Sequence, residues 1–181
     1  VLRLSLRYAN LTTLEEAYGI NLVPLATFAM ERYADDPCKE FWPILLRGQE
    51  MDEKTQRLTA QMHKAITILQ FKQEAKLIRR NPSWQMDDRL LLDKIDYQRG
   101  TCRTPDGEYE MRSCCFPTID PTNPFAMTEE QEESLQRLHH SFVVCEKLHK
   151  HIKAMLAHGC MYAIYNQNLL FHASCPLNDD G

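Results

Sequence analysis

Residues 52–80 constrain the fold more than any other stretch of the chain. Leu58, Met62, Ala65, Ile66 and Leu69 recur at helical spacing, Lys, Arg, Gln and Glu fill the positions between them, and Asn81-Pro82 supplies a stop. An apolar stripe of this kind has to be covered. A bundle helix that packs on its own domain accounts for it better than a partner-binding helix, because such stripes usually belong to a core. The basic run at 76–80 falls where cations offset the helix dipole, which explains it without a phosphate site.

Other helices are marked by their ends. Residues 1–8 satisfy a strand period (Leu2, Leu4, Leu6) and a helical one, and are read as the end of a helix begun upstream. Thr12-Thr13-Leu14-Glu15-Glu16 offers two overlapping capping boxes for a short helix stopped by Gly19. Asn21 is placed to cap the next helix, with Pro24 in its first turn and Leu22, Leu25, Ala29 and Tyr33 on its inner face. Thr128 and Gln131 form another capping box. The helix they open is expected to run to about residue 157, with Leu135, Leu138, Phe142, Cys145, Leu148 (or His149), Ile152 and Met155 inward and Gly159 as its stop.

Strand signals are short. After a brief helix at 87–93, residues 95–111 hold β-compatible runs around Thr104-Pro105-Asp106-Gly107, a hairpin turn. Pro117, Pro121 and Pro124 bar a helix from 116–125, which should run extended over the surface. Near the end, Met161 to Tyr165 and Leu169 to Phe171 flank Asn166-Gln167-Asn168, a second hairpin signal. The expected fold class is therefore α+β, mostly α, with two small β-hairpins.

Lys plus Arg is 21 against 25 for Asp plus Glu, a net charge of −4, so nothing in the balance favours a nucleic acid or an acidic membrane surface. No apolar run reaches the roughly 20 residues of a membrane span. Val1-Leu2-Arg3-Leu4 lacks the features of a secretory signal and is read as a cut edge. The seven cysteines include no Cys-x-x-Cys pair and are read as reduced thiols in a cytoplasmic protein.

Few residues carry a chemical signal. His139 and His140 are adjacent and His149 and His151 two apart, so neither helical pair chelates one ion; Cys145 and His149 share a face but lack further ligands. Gly-x-Ser-x-Gly, Gly-x-x-x-x-Gly-Lys and Gly-x-Gly-x-x-Gly are all absent from the chain. The remaining candidate is His172, which closes the second hairpin. A strand end fixes an imidazole, and the small residues Ala173 and Ser174 after it leave room for a second group, as a metal ligand needs.

Ser5-Leu6-Arg7-Tyr8-Ala9-Asn10, Tyr18-Gly19-Ile20-Asn21-Leu22, Pro24-Leu25-Ala26-Thr27-Phe28-Ala29-Met30, Phe116-Pro117-Thr118-Ile119-Asp120 and Tyr165-Asn166-x-Asn168-Leu169-Leu170-Phe171-His172 together resemble the class III fructose-1,6-bisphosphatases. These are bacterial enzymes of the calcineurin-like metallophosphoesterase superfamily. The resemblance runs from Leu4 to Asn178 and covers only the middle of such an enzyme. It implies that residues 1–40 leave the phosphoesterase core, 41–160 form a helical insertion with a small hairpin near 95–111, and 161–181 return to the core.

The parent enzyme implied by the resemblance hydrolyses fructose 1,6-bisphosphate to fructose 6-phosphate and phosphate in gluconeogenesis, using divalent metal ions, with manganese the expected one. His172 stands at the place of a family metal ligand, with Ala173 where the family usually has Gly. The family motifs Gly-Asp-x-x-Asp-Arg-Gly and Gly-Asn-His-Asp, which supply other ligands, do not occur here. The chain alone is therefore expected to be inactive and to hold no metal tightly. Catalytic and sugar-binding residues are not assigned; the expected partner is a small-molecule sugar bisphosphate, with a homo-oligomer as a possible assembly. The rival readings are another sugar-phosphate phosphoesterase of the superfamily, or a non-enzymatic helical interaction module in which Leu58, Met62, Ile66 and Leu69 would be exposed.

Overall fold

The computed structural model describes residues 1–171 and 178. Helices α1 (Leu2–Arg7), α2 (Val23–Arg32), α3 (Glu53–Arg80), α4 (Glu129–Val143) and α5 (Glu146–His158) carry most of the regular secondary structure among the described residues. Strands β1 (Ile95–Asp96), β2 (Thr101–Thr104) and β3 (Gly107–Glu110) form one antiparallel sheet, and β4 (Tyr162–Tyr165) pairs with β5 (Asn168–Phe171) in another. The mostly helical α+β class is as the sequence implied. Two compact units divide the chain, Val1–Val144 and Cys145–Gly181.

In the first unit α3 is the axis. Its 28 residues span about 42 Å. Asp52 caps it, accepting the Thr55 amide at 3.0 Å, and the Asn81 side chain closes the last turn on the Leu77 carbonyl at 2.8 Å. Helices α1 and α2 pack on α3, and α4 packs on α2. The expected inner face of α2 is buried in full (Leu22, Leu25, Ala29 and Tyr33), and Pro24 sits in its first turn. Leu22 rather than Asn21 takes the cap position, although Asn21 Oδ1 still accepts the Val23 amide at 3.0 Å.

The stripe on α3 is buried where it matters most, at Met62, Ala65 and Leu69, with Leu58 and Ile66 half-buried. That is the packing of a core helix, and it removes the main support for a free binding face. Burial also goes further than the stripe. Around the middle of α3 the polar residues Thr59, Gln61, His63, Lys64 and Thr67 are covered too, as is Lys72 one turn beyond. A second apolar cluster joins Ile68, Ala75 and Ile78 to Leu90, Leu92, Ile119 and Phe125.

Several local expectations change. Thr12 and Thr13 form no side-chain cap; residues Thr13–Ala17 make a π-helical turn before Gly19, which takes φ +66°. The short helix at 87–93 is two 3₁₀ turns, Asp87–Arg89 and Leu92–Lys94. The sheet at 95–110 gains β1 as a third strand, paired to β2 through Ile95 with Cys102. Residues 116–125 form turns and extended backbone without a helix, as their prolines require, but they do not simply run over the surface: Thr118, Ile119 and Phe125 are buried.

The helix expected from Thr128 to about residue 157 is two helices. Its capping box is present, with the Gln131 amide 3.2 Å from Thr128 Oγ1 and the Thr128 amide 3.1 Å from Gln131 Oε1. Val144 ends α4 and Cys145 leaves the helical region (φ −76°, ψ 94°). The Cys145 thiol then caps α5 by accepting the Leu148 amide at 3.4 Å, so Cys145 is a half-buried cap rather than a buried helix-face residue. β-Branched Val143 and Val144 lower helix propensity there. The inward stripe is buried only at Leu138; Ile152 and Met155 are exposed.

In the second unit Gly159 terminates α5. Its amide donates to the Met155 carbonyl at 2.7 Å, and a Cβ on residue 159 would lie 2.3 Å from that oxygen, which excludes any side chain. Asn166 and Gln167 both take positive φ (49° and 66°) in the two-residue turn between β4 and β5, the mirror-image turn that suits the twist of a hairpin. Asn168 belongs to β5 and pairs with Tyr165.

Candidate functional site

The hairpin that points the chain towards His172 is well defined. Its pairing runs Tyr162 with Phe171, Ala163 with Leu170, Ile164 with Leu169 and Tyr165 with Asn168, so β5 ends one residue before His172. His172 itself, with Ala173, lies outside the described residues. Among the described residues no group of three or more His, Cys, Asp or Glu side chains is placed to hold a metal ion.

The remaining histidines do not converge. His139, His140, His149, His151 and His158 are exposed. His63 is buried in α3; its Nδ1 lies 3.1 Å from the Phe41 carbonyl and its ring packs edge-on against Phe41. Burial pulls its pKa below the ordinary imidazole range, against the Phe41 carbonyl that favours the charged form. It is a neutral structural histidine.

Sequence reasoning missed the polar cluster on α3. The Lys64 ammonium pairs with the Asp36 carboxylate and donates to Ser113 Oγ at 3.2 Å, with both charged side chains buried. Burial pushes the Asp36 carboxyl up, but Lys64 and the Cys38 amide at 2.8 Å outweigh that and hold it below the usual carboxylate range. Eight residues along, the Lys72 ammonium donates, among the described residues, to three neutral oxygens: Thr118 O at 2.8 Å, Ala126 O at 2.7 Å and Gln131 Oε1 at 2.8 Å. Burial draws its pKa down to about 8, with Asp120 opposing. Tyr33 Oη and Thr118 Oγ1 meet at 2.9 Å between the two lysines.

These groups tie the proline-rich segment 113–131 to α3. They are poorly suited to catalysis. Burial pushes the Cys38 thiol up to about 12 and also raises Tyr33 and Cys115, so each stays protonated where a nucleophile or base would have to be charged. No buried side-chain nitrogen or oxygen among the described residues lacks a hydrogen-bond partner. The one available signal was phase: Lys64, Ile68, Lys72 and Ala75 share a face of α3, so both lysines lie in line with apolar residues.

A family model described as Firmicute fructose-1,6-bisphosphatase matches residues 1–181. The chain belongs to this fructose-1,6-bisphosphatase family. It is 54% identical to the fructose-1,6-bisphosphatase class 3 of Phocaeicola vulgatus, 52% to that of Bacteroides thetaiotaomicron and 49% to that of Clostridium novyi, each match covering 100% of the chain. It spans 28%, 27% and 27% of those three class 3 fructose-1,6-bisphosphatases. No solved structure matches the chain. No helix among its described residues is long and apolar enough to cross a membrane.

Proposed function

We propose that this chain is a middle portion of a class 3 fructose-1,6-bisphosphatase that hydrolyses fructose 1,6-bisphosphate to fructose 6-phosphate and phosphate, a cytoplasmic step of gluconeogenesis. The observation that carries this reading is identity of about one half, sustained over the whole chain, to proteins bearing that name. In this reading the parent is a calcineurin-like metallophosphoesterase. Residues 1–40 leave its core, 41–160 form a helical insertion and 161–181 bring the chain back.

His172 is the residue we assign to the metal centre, with manganese as the expected ion. The fit rests on β5: a two-residue turn sets the register, the strand ends at Phe171, and the next residue is the imidazole. A neutral ring nitrogen there can ligate one ion, while the other nitrogen needs a hydrogen-bond partner to fix the ring. When bound, the ions supply charge neutralisation at the phosphate and an acidified water. One imidazole does not make a two-ion site, so the remaining ligands belong to parts of the parent outside this sequence. The 181 residues alone are therefore inactive.

In the full-length parent, His172→Ala is expected to cut turnover at least about tenfold and to lower bound manganese. Unchanged rate and metal content would take His172 out of the site. The substrate assignment is tested separately, by assaying the parent on a panel of sugar phosphates; no preference for fructose 1,6-bisphosphate would favour another phosphoesterase of the superfamily. The isolated chain with manganese added should hydrolyse nothing above buffer.

A further inference from the structure

Nothing in the residue types between Glu129 and His158 forbids a single helix. The stretch holds neither proline nor glycine. Its apolar positions keep one helical rhythm throughout: Leu135, Leu138 and Phe142 in α4, then Cys145, Leu148, Ile152 and Met155 at the same +3/+4 spacing. A connection between two independent helices has no reason to preserve the phase of a stripe across it. Yet α4 stops at Val143 and α5 starts at Glu146.

The break is one dihedral wide. Val144 keeps right-handed helical backbone (φ −83°, ψ −7°), and its amide donates to the His140 carbonyl at 3.0 Å. The Cys145 carbonyl accepts the His149 amide at 3.1 Å, as in a continuous helix. Cys145 also has helical φ (−76°); only its ψ, 94°, departs from the helical value of about −42°. The Leu148 amide, which a continuous helix would give to the Val144 carbonyl, turns instead to the Cys145 thiol at 3.4 Å. Val143 and Val144 are exposed, so burial does not clamp the turn.

The opposing terms are small. The bent form keeps a cap whose acceptor is a sulfur, a weak one, and relieves two β-branched residues of helical geometry. The straight form regains the main-chain bonds that cross the turn. Each of these is the size of a single cap or a single hydrogen bond. We propose that Val144-Cys145 is a two-state joint, at which α4 and α5 exchange between the bent form and one helix from Glu129 to His158, about 45 Å long. The side chain at residue 145 sets the balance. α5 and the β4–β5 hairpin follow this one ψ, so the second unit is redirected without either helix unfolding.

The test is NMR on the 181-residue chain and two variants. Contacts from Hα of residues 142, 143 and 144 to Hβ of residues 145, 146 and 147 form only when the helix is continuous. Cys145→Ala deletes the cap and installs the best helix former, whereas Cys145→Asp supplies a stronger cap. Cys145→Ala should show all three contacts. It should also protect the Glu146 and Lys147 amides from hydrogen exchange at least about tenfold more than Cys145→Asp, with the unmodified chain between the two. The same kind of contact within α4 and within α5 checks that both helices persist.

If Cys145→Ala keeps both helices and still lacks the three contacts, the break is fixed by something other than residue 145 and the joint is overturned. Full-strength contacts in the unmodified chain or in Cys145→Asp would make the stretch one permanent helix, which overturns it equally. Should α5 melt in Cys145→Ala, Val143→Ala with Val144→Ala shifts the same balance while keeping the thiol cap. The three contacts should then appear in that variant, and their absence overturns the proposal.

Discussion

In Val1–Val144, α3 is covered so fully that two lysine side chains lie inside the fold; in Cys145–Gly181 no described side chain is buried. The contrast is not one of composition. The second unit is rich in apolar residues, and they are the exposed ones: Met155, Leu156, Tyr162, Ile164, Leu169, Leu170 and Phe171 all face solvent. Its hairpin places Tyr162, Ile164, Leu169 and Phe171 on one face and Ala163, Tyr165 and Leu170 on the other. A strand pair apolar on both faces is built for the inside of a sheet, and a lone two-stranded hairpin is marginal in water. Local sequence writes both units equally well, while burial depends on how much chain is available to cover each.

The largest expected effect falls on the buried ion pair. Lys64→Ala strands Asp36 without a partner and should destabilise the first unit by about 3–5 kcal/mol, read as a shift in denaturant midpoint. Lys64→Met with Asp36→Leu should recover most of that loss. Recovery below half would show that the pair itself, rather than its desolvation, holds the unit together.

A matched leucine comparison comes next. Leu69→Ala in α3 should cost about 2–5 kcal/mol, whereas Leu169→Ala in β5 should cost under about 0.5 kcal/mol in this chain. Equal costs would mean that the hairpin is covered after all, and the contrast would be broken.

Gln131→Ala removes an acceptor from Lys72 and half of the α4 capping box, with an expected loss of about 1–3 kcal/mol. The fourth effect is a slope. The native pKa of Lys72, about 8, lies below its unfolded value, so below pH 8 both states hold the proton and the unfavourable burial of charge is fully present. As pH rises through 8 the native state releases its proton first, and this group makes the fold more stable with pH. Cys38 acts in the opposite sense above pH 9, where its thiol ionises only in the unfolded state. Denaturation between about pH 7.5 and 9 should therefore show a rising contribution that Lys72→Met abolishes. No difference in slope between the two proteins would remove Lys72 as its source.

The elements themselves were largely legible because their signals are local. The α3 stripe, the Thr128–Gln131 box, Pro24 in a first turn and the prolines of 116–125 act within a turn or two of backbone, and each appears in the fold. Where the reading failed, two local rules competed. Cys145 lay in phase with an apolar stripe, but two preceding valines and an N-capping thiol broke the helix into α4 and α5. The candidate site was legible only as a position: β5 leads to residue 172, and the imidazole lies past the described residues.

By itself, the sequence determined the capping box that opens α4 and the stops at Asn81-Pro82 and Gly159, a hairpin turn within 166–168, the mostly helical class and, through its resemblance, the enzyme family. Only the tertiary structure decided that Lys64 and Lys72 are interior. Their acceptors come from residues 36, 113, 118, 126 and 131, as far as 59 positions away along the chain. A lysine on a helix is solvated unless something is brought to meet it. What meets it is fixed by long-range packing, which no window of neighbouring residues encodes.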